Sequence, residues 1–105
     1  MKALNFNSAK KTFWNVTLPD GTVLLVCTPT KRIFDELLAI QTGKGGSDED
    51  AIDALYRVCA LVLSRNKAGK EITEEYLAEN FDIEDIILLF NGYVQFVQEI
   101  KNSKN

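Results

Sequence analysis

The chain of 105 residues contains no histidine, two cysteines, two prolines, one methionine and one tryptophan. Without histidine, general acid–base catalysis lacks its usual residue, and zinc loses its commonest nitrogen ligand. Cys27 and Cys59 are too far apart for zinc spacing, and each sits among aliphatic neighbours. They are expected to be reduced thiols acting as small hydrophobes, so neither a metal nor a disulfide is expected. No long apolar run is present: the longest strong one, residues 86–90, is far short of a membrane span. The first eleven residues, MKALNFNSAKK, lack the continuous apolar stretch of a signal peptide. A cytoplasmic location is therefore expected.

Charge of one sign is also scarce at each end. Through residue 32 there are five basic residues (Lys2, Lys10, Lys11, Lys31 and Arg32) and one acid, Asp20. Beyond it, seven basic residues face fourteen acidic ones. The basic residues fall in two separate stretches, which makes a poor stripe for phosphate. A basic hairpin beside an acidic helical body explains the split better. Binding of nucleic acid by a small regulatory protein stands as the alternative.

What is present is one short β signal followed by helix. Residues 12–18 and 22–28 alternate in polarity around Leu18-Pro19-Asp20-Gly21. Proline presets φ for the second turn position, aspartate suits the third, and Gly21 supplies the left-handed residue. That predicts a hairpin with a three-residue bulged loop. Trp14, Val16 and Leu18 share one of its faces. The second strand, TVLLVCT, is apolar on both faces, which implies deeper burial or contact on two sides. A lone hairpin is marginal in water and must lie on something apolar.

Thr30 is suited to cap a helix in which Ile33, Phe34, Leu37, Leu38 and Gln41 follow the helical period. Lys31 and Arg32 in its first turn oppose the dipole. TGKGGS at 42–47 reads as a flexible loop, and Ser47 or Asp48 as the next cap. The helix that follows carries Ile52, Leu55, Tyr56, Cys59, Val62 and Leu63 on one face and runs to about residue 66. Thr73 caps a short helix. Asp82 with Asp85 forms a capping box for the last helix. There Ile83, Ile86, Ile87, Phe90, Tyr93, Val94, Val97 and Ile100 make one face, while Leu88, Leu89 and Phe96 fall outside it.

The expected fold is a single α+β domain covering 1–105. A hairpin at about 12–28 packs on three to four helices at about 31–41, 48–66, 74–80 and 83–101. Residues 1–11 form a flexible lead-in, in which Leu4 and Phe6 have the spacing to extend an edge strand, and 102–105 fray. The apolar surplus on the last helix predicts a surface for a partner or a second copy, at Leu89, Phe90, Tyr93, Phe96, Val97 and Ile100.

No motif of catalysis emerges. Asp82, Glu84 and Asp85 sit at a helix start, where acids are favoured anyway. Gly43-Lys44-Gly45-Gly46-Ser47 lacks the order of a phosphate loop and follows a helix instead of a strand. Residues 71–93 superficially match a helix-turn-helix, yet the second helix would present Glu84, Asp85 and a run of aliphatics to phosphate. Neither an enzyme nor a cofactor is expected.

The order of elements is familiar. A lead-in LNFN, the turn LPDGT, then TPTKRIFDELL, LSRNKAGKEITEEYLAE and DIEDIILLFNGYVQFVQEI resemble the tail assembly chaperones of long-tailed bacteriophages and prophages. The likeness covers about residues 4–100, and its motifs are structural. It implies a non-catalytic cytoplasmic protein that coats the tape-measure protein, before tail-tube subunits polymerise around it, and is absent from the finished virion. It also implies self-association. Such genes often yield a longer product by ribosomal slippage, and Ile100-Lys101-Asn102 can be encoded by the slippery run A-AAA-AAT. Reading those codons tests that expectation.

Overall fold

The computed structural model describes residues 3–6, 11–43 and 48–102. Much of the expected flexible lead-in, most of the loop after the first helix, and the tail from residue 103 lie outside the described residues. Ser47, one of the two expected caps of the second helix, lies outside them as well, and Asp48, the other, is the first residue of that helix. The elements run β1 (Trp14–Thr17), β2 (Val23–Val26), α1 (Lys31–Gln41), α2 (Asp48–Ser64), α3 (Glu74–Asn80) and α4 (Ile83–Asn102). A two-stranded antiparallel hairpin thus packs on four helices, the α+β arrangement expected from the sequence.

Local chemistry explains each boundary. In the hairpin loop the Gly21 amide donates to Leu18 C=O at 2.8 Å and the Leu18 amide donates to Thr22 C=O at 2.7 Å. Gly21 takes φ +91°, a conformation costly for any residue with a Cβ. The Asp20 carboxylate accepts from the Thr22 amide at 2.9 Å, and this bond holds its pKa below the ordinary aspartate value. Thr30 Oγ1 accepts from Ile33 N at 3.4 Å and Thr73 Oγ1 from Tyr76 N at 3.0 Å, capping α1 and α3. Asp82 and Asp85 exchange bonds as a reciprocal box, at 3.1 and 2.8 Å. Lys31 pairs with Asp35 one turn on, which offsets its unfavourable place at the start of α1.

Helix α2 stops at Ser64, two residues short of the expected end, because tertiary pairing takes over. The Cys27 amide donates to Arg65 C=O at 2.8 Å and the Lys67 amide to Leu25 C=O at 2.9 Å. Residues 65–67 therefore lie along β2 like a short third strand, bridging at Val26 and Asn66. This is the second side of contact that the apolar β2 sequence called for. Leu24 and Val26 are buried and Leu25 is half-buried, although Val23 remains exposed.

The core runs between the hairpin, α2 and α4. Val58, Leu63, Leu77, Ile86 and Val26 are fully enclosed. Trp14 joins the hairpin to α4 by lying against Tyr93 and Phe96, with ring centroids 5.6 and 6.1 Å apart. The Tyr93 hydroxyl donates to Cys27 C=O at 2.8 Å, a second tie between the same two elements. Burial pushes the Tyr93 hydroxyl pKa well above its ordinary value. Ion pairing of Arg57 with Glu36 links α2 to α1, and the Tyr56 hydroxyl donates to Phe81 C=O at 2.8 Å ahead of α4.

One expectation about α4 needs correction. The inward face is Ile86, Leu89, Phe90, Tyr93, Phe96 and Val97, so Leu89 and Phe96 belong to the core. Ile83 and Ile87 are 48% and 42% exposed and fall outside it. The hairpin supplies the reason. Trp14 covers the flank that carries Tyr93 and Phe96, and so turns the buried stripe towards them. Helix α4 also continues through Asn102, which was expected to fray.

Candidate functional site

An open groove of about 410 Å³ lies between the free side of β1 and the first half of α4. Trp14, Val16 and Pro19 line it from the hairpin, and Leu88, Leu89 and Gly92 from the helix. Its polar margin comes from Asn15, Thr17 and Asp85. Local structure explains how these side chains meet. Strand alternation points Trp14 and Val16 to the same face as the buried Leu18. On α4, residues 85, 88, 89 and 92 are neighbours at helical spacing. Gly92 permits the closest approach: a Cβ there would stand 2.9 Å from Trp14 Cζ2 and 3.3 Å from Cη2.

Leu88 is the most exposed large apolar side chain of α4, at 74%. It stands on a groove wall beside a strand edge that still has bonding capacity. The Leu18–Thr22 bond sets the hydrogen-bonding phase of the hairpin. Antiparallel alternation then directs the backbone groups of Trp14 and Val16 towards β2 and those of Asn15 and Thr17 outward. Among the described residues no strand pairs with this outer edge. An extended chain laid along it would gain main-chain hydrogen bonds and place alternate side chains over Trp14, Val16 and Leu88.

A second groove, of about 380 Å³, lies at the far end of α4. Thr28, Pro29, Phe34, Val97 and Ile100 line it, with Lys31 and Lys101 at its margin. Lys101 Nζ lies 5.6 Å from the centre of the Phe34 ring, a cation–π contact.

The six side chains expected to form the apolar surface are thus divided. Leu89, Phe90, Tyr93, Phe96 and Val97 are only 1–8% exposed, so these five side chains form no exposed strip in the single chain. Leu89 contributes to the first groove, and Val97 and half-buried Ile100 to the second. Phe90, Tyr93 and Phe96 are core. Sequence reasoning missed Trp14, Val16 and Gly92 as groove residues. Leu88 was visible as surplus, and the shared face of Trp14 and Val16 was the signal that pointed to the rest.

Titratable chemistry is sparse at both grooves. Asp85 is committed to capping α4. Cys59 lies in the core, where burial pushes its thiol up to about 12. Among the described residues no cluster of carboxylates and thiols is suited to a metal ion, and no helix is long and apolar enough to cross a membrane. Comparison with protein families, with curated proteins and with solved structures finds no match to this chain.

Proposed function

We propose that this protein is a non-catalytic binding protein of the tail assembly chaperone kind, acting in the cytoplasm of a bacterial host and left out of the finished virion. Its task is to hold an apolar stretch of the tape-measure protein, or of tail-tube subunits, before assembly. The observation that carries this reading is the open groove beside β1, where exposed Leu88 stands with Trp14 and Val16 next to a strand edge that none of the described residues pairs. A surface of that kind binds extended apolar chain by contact alone, through main-chain bonds along the edge and burial of alternate side chains. The sequence likeness to tail assembly chaperones supplies the partner, and the absence of any motif of catalysis fits the same role.

Nucleic-acid binding at the basic hairpin end has weaker footing. The five cations of that end fall in two separate stretches, one within residues 2–11 and one at Lys31 and Arg32, and Lys31 is paired with Asp35. Phosphate contact needs an aligned stripe.

Co-expression with a tape-measure fragment from the same genome tests the proposal. The fragment is expected to stay soluble and co-purify with the wild-type chain, and to be lost with Leu88→Glu. A fragment that neither co-purifies nor gains solubility refutes it.

A further inference from the structure

We propose that the groove beside β1 accepts the N-terminal arm of a second copy of this chain, with Leu4 and Phe6 as its two anchors. The inference shares the groove with the function proposed above and does not depend on it, since it concerns the purified protein alone.

Three observations converge. Leu4 and Phe6 are each 74% exposed, an uncommon state for two large apolar side chains so close in sequence. They are two residues apart, the spacing that puts both side chains on one face of an extended chain. The groove offers the matching half. Its edge at Asn15 and Thr17 is paired by none of the described residues, and its apolar wall is built from Trp14, Val16 and Leu88. A neighbouring copy supplies each half with its complement.

Charge selects the same pairing. Lys2, Lys10 and Lys11 flank the anchors, and residues 1–11 contain no acid. Asp85 is the acid on the groove margin, and Asp82 and Glu84, also exposed, stand beside it in sequence at the start of α4. A basic arm beside an acidic margin gains attraction and is steered into register. Reach is sufficient as well. The seven residues between Phe6 and Trp14 span up to about 25 Å when extended, enough to leave one body and enter the next. Reciprocal exchange of two arms closes a dimer in which both strand edges are paired.

Sedimentation equilibrium of the full chain, with Trp14 emission as a second readout, tests this. Trp14 is the single tryptophan and lies in the groove. The wild-type mass is expected to rise with concentration from the 11.8 kDa monomer towards a dimer. Leu4→Glu combined with Phe6→Glu should remain monomeric at the same concentrations, and so should Leu88→Glu. All these positions are exposed, so the circular dichroism of the variants should match wild type. A synthetic peptide of residues 1–11 should shift Trp14 emission to the blue in the Leu4→Glu, Phe6→Glu variant and lose that effect when Leu88→Glu is added. A monomeric wild type, or an oligomer that survives the arm substitutions, overturns the proposal. So does a monomer whose Trp14 emission responds to its own arm, because the arm would then fold back within one chain. Loss of tape-measure binding with intact self-association would contradict only the function proposed above.

Discussion

Asn66→Asp replaces one side-chain nitrogen with oxygen at nearly constant volume, and its consequences follow from three distances. Asn66 is the one buried polar side chain among the described residues, at 7% exposure. Its Nδ2 donates to Leu63 C=O and to Lys70 C=O, both at 2.7 Å, and its Oδ1 accepts from the Lys70 amide at 3.0 Å. The amide donor to Oδ1 fixes which end is oxygen. An aspartate keeps that one bond and points its second oxygen at two carbonyls. Two bonds of about 0.5–1.5 kcal/mol each are lost, and a charge is enclosed facing negative dipoles. The expected cost near neutral pH is about 3 kcal/mol, a large part of the stability of a domain this size. With a urea slope of about 1–2 kcal/mol/M, the midpoint falls by roughly 2 M.

The pH dependence gives a sharper test. Burial and the two carbonyls hold the new carboxyl protonated to higher pH in the folded state than in the unfolded chain. The folded variant therefore binds more protons, and its stability rises as pH falls. The deficit against wild type should be largest at neutral pH. It should shrink as pH drops towards about 4, the ordinary aspartate value, where a protonated oxygen again donates to one carbonyl. Urea unfolding of both proteins at pH 4 and pH 7 measures it. A midpoint shift under about 0.3 M at neutral pH, or a deficit independent of pH, would refute the view that Asn66 holds the turn from Leu63 to Lys70 through these three bonds.

Three further outcomes are expected. Gly92→Ala gains about 1 kcal/mol of helix propensity and loses about 1–3 kcal/mol to crowding against Trp14. Its thermal midpoint should not rise and Trp14 emission should shift to the red; a more stable variant with unchanged emission contradicts the close approach. Tyr93→Phe keeps the ring against Trp14 and Phe96 but strands the Cys27 carbonyl, which should cost about 1–2 kcal/mol in chemical denaturation. Cys59 should resist iodoacetamide at pH 9 until denaturant is added. Because its folded pKa of about 12 lies above the unfolded value, the unfolded chain releases the proton first. Stability should therefore fall as pH rises from about 8.5 towards 12. Rapid alkylation of Cys59 in the folded state would contradict its burial.

The elements legible in the sequence were those written in local chemistry. Leu18-Pro19-Asp20-Gly21 carried its own turn, and Thr30, Thr73 and the Asp82–Asp85 pair carried their own caps, because each involves bonds within a few residues. The end of α2 was not legible, since Ser64 gives way where residues 65–67 meet a strand some forty residues earlier. The orientation of α4 was misjudged for a similar reason. Its apolar side chains cover so much of its circumference that periodicity alone permits more than one inward face. Trp14, about eighty residues before Phe96, decides which face the hairpin covers. The groove was the hardest feature to foresee. It is the space left where a strand edge runs beside Leu88 and Gly92, and no short window of sequence contains both walls.

The groove as a binding site for extended apolar chain is the central claim, and Trp14 emission measures it directly. The Leu4→Glu, Phe6→Glu variant removes the two proposed anchors of the arm and keeps every groove residue. Titrated with peptides from the most apolar stretches of a tape-measure protein of the same genome, its Trp14 emission should shift to the blue and saturate. Adding Leu88→Glu should weaken that response at least tenfold while leaving the circular dichroism unchanged. A Trp14 signal that stays flat across those peptides, or binding that persists undiminished with Leu88→Glu, would contradict the account.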